Sequence, residues 1–179
     1  MFTSWSRRMA LAGAALMLSV GVASAQSAGS WTPYVGVTLA LPVGDLSNVS
    51  SFGFGAAGGA EYRFNKDFGL RPEVDFVYYS GKNGVSSITS FGFGASGLLH
   101  IEATGAFKPY ALFRLGFNAN SGSSTGGASA SSTNFGFAPG FGGNFQCMDS
   151  PCFIEGKFYV VSANGGNANA VQITFGRHF

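Results

Sequence analysis

The chain has 179 residues, of which 46% are hydrophobic and 10% are charged, with 28 glycines and 19 phenylalanines. Arg7 and Arg8 account for the net charge of +2, so the rest of the chain is neutral and offers no electrostatic footprint for nucleic acid. The length suits one domain, and beyond the N-terminus no apolar run is long enough for a transmembrane helix.

The N-terminus has the pattern of a secretory signal. Arg7 and Arg8 precede an apolar run over residues 9–22, and Ala23-Ser24-Ala25 forms a small-x-small cleavage site. An uncleaved membrane anchor is the alternative, but the run is short for a membrane span. We therefore expect residues 1–25 to be a removed signal peptide and residues 26–179 to be one exported domain.

Short segments of alternating hydrophobicity follow, and they predict an all-β chain. The alternation has a period of two, which is typical of strands with two unlike faces. Long Ser-, Gly- and Asn-rich connections alternate with short ones, the pattern of an up-and-down membrane barrel. The predicted strands lie at 31–41, 52–64, 68–79, 90–102, 107–117, 135–147, 152–161 and 170–179. The predicted long loops lie at 42–51, 80–89, 118–134 and 162–169.

Charged residues of these strands fall on the parity opposite to the apolar residues, with Arg177 as the exception. Since a basic side chain on a lipid-facing surface costs roughly 2–4 kcal/mol at the midplane, a barrel with its charges inside accounts for this segregation. We expect an ion-pair network in the lumen, because an interior of eight strands is just wide enough for side chains to fill. Its predicted members are Glu61, Arg63, Arg71, Glu73, Asp75, Glu102, Lys108, Arg114, Glu155 and Lys157.

Aromatic residues cluster at both ends of the predicted strands. Two such bands are typical of the girdles at the two interfaces of a membrane barrel. A soluble barrel or sandwich is the rival interpretation, and it would turn the phenylalanines inward and the charges toward water.

Cys147 and Cys152 bracket the short connection Met148-Asp149-Ser150-Pro151. Cysteines that face each other across a four-residue turn can form a disulfide in an oxidising periplasm. Free thiols and a metal pair are the alternatives, although two ligands make a poor metal site. We expect the disulfide, and no metal or other cofactor.

The chain ends on an alternating strand, residues 171–179, that closes on Phe179. With the phrases Pro33-Tyr34-Val35-Gly36-Val37 and Lys108-Pro109-Tyr110-Ala111, this strand resembles bacterial outer-membrane β-barrels of the eight-stranded OmpA/OmpX type. The resemblance implies a transmembrane barrel in the outer membrane of a Gram-negative-type bacterium, in contact with its lipid. It also implies that Phe175 and Phe179 belong to a C-terminal signal for the barrel-assembly machinery.

The expected function is structural, or an interaction through surface loops 80–89 and 118–134 with extracellular partners, without enzymatic activity. A small channel for ions or polar solutes is the first alternative. A lipid-modifying enzyme is the second, with His100 and Glu102 as a base and its orienter and Ser90 or Ser96 as nucleophile. Neither histidine stands in a recognised catalytic or metal-binding motif.

Overall fold

The computed structural model describes residues 29–124, 126, 129–163 and 166–179. The predicted signal peptide, residues 1–25, lies outside the described residues. Within those residues, no helix has the length and apolar character needed to cross a membrane.

Eight antiparallel strands form a closed barrel in which every strand pairs with its neighbours in sequence and β1 pairs with β8. The predicted fold class is therefore confirmed. The only helix among the described residues is the single turn α1, which joins β1 to β2. The strands are β1 Trp31–Val43, β2 Ser50–Arg63, β3 Phe68–Gly81, β4 Val85–His100, β5 Lys108–Ser124, β6 Ser129–Cys147, β7 Ser150–Ala163 and β8 Gly166–His178; α1 is Leu46–Val49.

Burial alternates along the strands with the period that the sequence shows. In β3, for example, Arg71, Glu73 and Asp75 are buried, whereas Phe68, Leu70 and Phe76 are exposed. The large apolar side chains thus form an outer belt and the charges face the lumen, the reverse of a water-soluble barrel. Belt members include Val37, Leu39, Phe54, Phe76, Phe93, Phe113, Leu115, Phe137, Phe141, Ile173 and Phe175.

Glycine permits the tight wall of this narrow barrel. A Cβ on Gly55 would collide with the backbone carbonyl of Phe76 on β3, and one on Gly143 would collide with the ring of Phe107. Gly55 therefore requires a residue without a side chain, since a Cβ would push β2 and β3 apart, whereas at Gly143 the Phe107 ring would have to move aside.

The strands at one end of the barrel are longer than the sequence predicts. The segment 118–134, predicted as a loop, is a hairpin in which β5 continues to Ser124 and β6 begins at Ser129. The predicted loop 80–89 likewise reduces to residues 82–84 between β3 and β4. Serine, threonine and glycine gave no apolar alternation there, yet their backbones pair as well as any others. The predicted loop 42–51 reduces to residues 44–49, an irregular connection that includes α1.

Two of the prolines inside strands, Pro72 and Pro139, coincide with gaps in pairing that leave the register unchanged. Between β2 and β3, pairing stops at Gly59↔Glu73 and resumes at Tyr62↔Leu70 in the same register, on either side of Pro72. Between β6 and β7 it skips Pro139 in the same way. Each proline lacks the N–H that the ladder needs, so the wall loses local bonds but forms no bulge.

The belt predicts a depth-dependent cost for charge. Phe113→Arg places a cation near the middle of the outward face of β5 and should destabilise the barrel by roughly 2–4 kcal/mol. Phe117→Arg, near the outer interface on the same strand, should cost about 0–1 kcal/mol. Denaturant unfolding in lipid vesicles measures both, and equal costs for the two variants would contradict a lipid-facing belt.

Candidate functional site

The centre of the lumen holds a compact ion cluster built from β3, β5 and β7. Its three cations and three carboxylates balance, and all six side chains are buried. Buried charges of this kind are stable only when each is paired and hydrogen-bonded. The members of this central cluster are Arg71, Glu73, Asp75, Arg114, Glu155 and Lys157.

Glu73 is the hub of the central cluster. Its carboxylate accepts hydrogen bonds from Arg71 Nε at 3.0 Å and from Lys157 Nζ at 3.2 Å. Arg114 Nε lies 2.8 Å from Glu73 Oε1, at ion-pair distance. The hydroxyls of Tyr34 and Ser96 donate to the same carboxylate at 3.0 and 3.1 Å. Strands β1, β3, β4, β5 and β7 therefore meet at one side chain.

The two remaining carboxylates complete the central cluster. Glu155 accepts from Arg71 Nη2 at 2.7 Å and from the Tyr110 hydroxyl at 2.9 Å. Asp75 accepts from Arg114 Nη2 at 2.7 Å, while its Oδ2 atom has no hydrogen-bond partner among the described residues. The Arg114 guanidinium also lies over the ring of Tyr159, 5.2 Å from its centroid. The cluster therefore joins side chains of β3, β5 and β7 across the middle of the lumen.

A second polar group lies at the periplasmic end, the end that carries the chain termini. His100 Nε2 is 2.7 Å from Glu61 Oε1, and Arg63 Nε donates to the same oxygen at 3.2 Å. The register places Glu61 across from Arg71, but the Arg71 guanidinium turns to Glu73 and Glu155 instead. The predicted network is thus divided into two groups.

Two predicted members of the lumen network lie outside both groups. Glu102 follows the end of β4, is exposed, and pairs with Lys66 across the neighbouring turn. This pairing lowers the pKa of Glu102 and raises that of Lys66. Lys108 is exposed at the start of β5 and has no ion-pair partner among the described residues. The prediction for Glu102 was wrong because β4 ends at His100, two residues earlier than the alternation suggested.

The outer end of the lumen contains an apolar cluster that the sequence analysis missed. Ala40, Val77, Tyr79 and Ala170 form a buried cluster, and Leu46 of α1 packs against it together with Ile88. The polypeptide around α1 is fixed by hydrogen bonds to the start of β8 and to the turn between β3 and β4. Asp45 Oδ2 accepts from the backbone N–H of Asn167, and Asn83 Nδ2 donates to the carbonyl of Asn48. The segment 44–49 is therefore held against this apolar cluster at the outer end.

Phe153 is another residue that the sequence analysis did not single out. It is fully buried, packs edge-on against Tyr34 at 5.3 Å between ring centroids, and lies 5.0 Å from the His178 ring. Phe153 has the inward parity, because it is next to the outward Ile154 in β7. Near a strand end, however, parity is a weak guide, so the sequence alone does not show that this aromatic ring lies in the lumen.

A cavity of about 690 Å³ opens at the periplasmic mouth. His100 and Arg63 form its inner part, and Lys66, Glu102 and Lys108 lie at its rim. Within the described residues, no cluster of three or more His, Cys, Asp or Glu side chains is suited to a metal ion.

Beyond the outer girdle, strands β4, β5 and β6 remain paired with one another, and β4 also pairs with β3 as far as Ser80↔Ser87. Pairing runs from Ser90↔Asn120 to Ser87↔Ser123 on one side of β5 and from Asn118↔Asn134 to Ser123↔Ser129 on the other. We call this part the protruding sheet; it comprises residues 85–90, 118–124 and 129–134. It has neutral, hydroxyl-rich strands and lies outside the apolar belt.

The disulfide between Cys147 and Cys152 is present, although its setting differs from the one expected. The turn is the two-residue Met148-Asp149, both with positive φ, and Cys147 pairs directly with Ser150. Cys152 pairs with Phe145, so the two cysteines are diagonal neighbours rather than directly opposed. Their Cα atoms are 5.9 Å apart.

The final strand places its aromatic side chains on the outer surface. Phe175 and Phe179 are both exposed, and Phe175 lies beside Phe145 of β6. The exceptional Arg177 is also outward, with its guanidinium 5.3 Å from the Phe179 ring centroid. A long side chain at the barrel's end can reach the aqueous interface, which explains its tolerance there.

Comparisons agree with this architecture. Residues 12–179 match the model of a family described as outer membrane protein beta-barrel domain. Neisserial surface protein A has a similar structure, with 16% identity and a TM-score of 0.65 over 83% of this chain and 94% of that one. Ail, the attachment invasion locus protein of Yersinia pestis, is 17% identical, with a TM-score of 0.58 over 86% of this chain and 100% of Ail. The N-terminal barrel domain of Pseudomonas aeruginosa OprF is 12% identical, with a TM-score of 0.52 over 86% of this chain and 100% of that domain. Ail has also been solved with the heparin analogue sucrose octasulfate. No curated protein matches the chain significantly.

The central cluster predicts a large cost for removing its hub. Glu73→Gln leaves three buried cations short of a carboxylate and should destabilise the barrel by about 3–5 kcal/mol in equilibrium unfolding. Glu102→Gln removes a carboxylate of the same charge from an exposed pair and should leave the unfolding midpoint unchanged. Similar losses in the two variants would show that the lumen charges are not energetically coupled.

The disulfide predicts a modest stabilisation because it closes a short loop. Replacing Cys147 and Cys152 together by Ala should lower the free energy of unfolding by about 2 kcal/mol. A reducing agent should lower the stability of the native chain by the same amount and leave the double variant unaffected. A native chain insensitive to reductant would argue against the cross-link.

Proposed function

Because this chain belongs to the outer membrane protein β-barrel domain family, we propose that it is a non-enzymatic outer-membrane protein that acts through its protruding sheet, with a lumen that does not conduct. The observation that carries the proposal is the combination of a filled lumen with strands that continue beyond the membrane belt.

Three layers of side chains support a closed lumen. The central cluster is fully paired in charge, the apolar cluster around Tyr79 lies above it, and Glu61, Arg63 and His100 lie below. A solute would have to break buried ion pairs in the middle layer, and breaking such a pair leaves an uncompensated charge. The periplasmic cavity is therefore better understood as a blind vestibule than as one end of a pore.

The hydrogen bonds of the lumen also support a non-enzymatic role. The Ser96 hydroxyl is buried and donates to Glu73, and His100 is paired with Glu61 and Arg63 rather than with Glu102. A nucleophile needs an adjacent base within hydrogen-bond reach and an oriented third group. The arrangement predicted for a lipid-modifying enzyme has no counterpart in these contacts.

The chemistry of the protruding sheet indicates what kind of partner it fits. Outside the belt on this side, Asp45 and Lys82 are the only charged residues in the sequence segments 42–51, 79–90, 118–134 and 162–170. A single cation does not attract a polyanion strongly, so a sulfated ligand like the one in the Ail complex does not suit this surface. Serine, threonine and asparagine instead favour neutral hydrogen-bonding partners, such as polypeptide backbones.

We further propose that residues 1–25 direct export and are removed, and that β8 with Phe175 and Phe179 is the segment recognised by the barrel-assembly machinery. The support is the alternating pattern of β8 and the outward position of both rings. The rings lie on the lipid side of a strand that closes the barrel against β1.

A shortened hairpin tests the proposed function. Residues 120–132 are replaced by an Asn-Gly turn, which retains the barrel-forming parts of β5 and β6. Bacteria that display the full chain should be retained on serum-coated surfaces, and bacteria with the shortened chain should lose that retention. A change in gel mobility between unheated and boiled samples verifies that both barrels fold.

Planar-bilayer recordings provide the second measurement. Neither the full nor the shortened chain should give stepwise conductance. Channels in the full chain that change when Arg114 is replaced by Met would establish the pore alternative, and unchanged surface retention after shortening would overturn the role of the protruding sheet.

A further inference from the structure

The protruding sheet has one free edge. β6 pairs with β5 back to Ser129, but its pairing with β7 starts only at Gly136↔Val161. Residues 129–134, which we call the outer edge, therefore have a β partner on one side only among the residues that the structure describes. The opposite side of the sheet has no such edge, because β4 pairs with β3 as far as Ser80↔Ser87.

The outer edge lacks the devices that normally prevent strands from joining. Proteins protect edges with lysine, proline, bulges or a covering segment. Residues 129–134 read Ser-Ala-Ser-Ser-Thr-Asn, without a charge or a proline. The register with β5 runs without a shift from Ser123↔Ser129 to Lys108↔Asn144, so no bulge turns the edge aside. Residues 130–133 are exposed.

A second copy of the same chain fits this edge. The outer surface has one positive and one negative charge, Lys82 and Asp45, so two copies do not repel each other. Antiparallel pairing of two identical Ser/Thr segments also brings hydroxyl-bearing residues opposite one another, where they can exchange hydrogen bonds. We propose that the outer edge pairs antiparallel with the outer edge of another copy; this inference rests on the proposed function of the protruding sheet.

Symmetry determines where that second copy lies. Two copies in one membrane are related by an axis along the membrane normal, and both outer edges then run from the outside toward the membrane. Because barrel strands tilt by about 35–45°, two such edges would cross at a large angle and could not pair. A two-fold axis perpendicular to the sheet lies in the membrane plane, makes the edges antiparallel, and places the two copies in facing membranes.

The joined structure is one continuous sheet in which the outer edges of the two copies are adjacent strands. The same patch of both copies forms the contact, which is the isologous arrangement of closed two-fold dimers. A contact of six residue pairs is weak singly, but many copies on two facing surfaces act together, so the membranes adhere although each pair is short-lived. The chain would thus join one membrane to another.

Clustering of vesicles tests this inference. The purified chain is inserted into two populations of phosphatidylcholine vesicles that carry different fluorophores, and co-localised spots are counted. Vesicles with the native chain should cluster at least several-fold more than empty vesicles. Absence of clustering by the native chain would overturn the inference.

Two lysine variants separate edge pairing from a general charge effect. Ser131→Lys places a cation on the outer edge, whereas Ser121→Lys places one on the directly paired residue of β5, away from the edge. Both serines are exposed. Ser131→Lys should abolish clustering and Ser121→Lys should retain most of it. Equal loss in the two variants would overturn edge pairing.

A charge exchange identifies the partner as a second copy. Vesicles with Ser131→Lys and vesicles with Ser131→Glu should each fail to cluster alone, and a mixture of the two should cluster again. Failure of the mixture would overturn the homotypic contact. If native vesicles do not cluster while bacteria still need residues 120–132 for surface retention, this inference falls and the proposed function stands.

Discussion

Pairing of backbone hydrogen-bonding groups in a lipid environment is the constraint on which this structure depends. Hydrocarbon offers no partner for an N–H or a carbonyl, so a sheet that crosses it must close on itself. Closure of eight strands leaves an interior of side-chain width, and the alternation of each strand then assigns every residue to lipid or to lumen. Glu73 and its cations are buried because the outward alternative costs more than a paired charge inside.

Much of this architecture follows from the sequence, since period-two alternation survives almost everywhere within the belt. The parity of β3, for instance, places Arg71, Glu73 and Asp75 inside without any knowledge of their partners. Alternation does not predict which side chains contact each other inside the lumen. It does not reveal that Arg71 turns to Glu155, a residue 84 positions away, rather than to Glu61 across the turn.

Strand ends were also beyond prediction, for two different reasons. At the periplasmic side β4 stops at His100, so that Glu102 becomes a surface residue paired with Lys66. At the outer side Ser- and Gly-rich segments look like loops, because the water on both faces of the protruding sheet removes the apolar signal by which strands are recognised. The free edge of β6 is visible only from the register of its two neighbours.

The position of the cross-link between Cys147 and Cys152 has a consequence for biogenesis. The two thiols are only five residues apart, so they meet readily in a chain that has not yet entered the bilayer, in the oxidising compartment that it traverses. The oxidised loop restricts the register in which β6 and β7 can pair. Since a slip by one position would turn Glu155 and Lys157 toward hydrocarbon, a bond made early protects the insertion step from the most costly alignment error open to this ribbon.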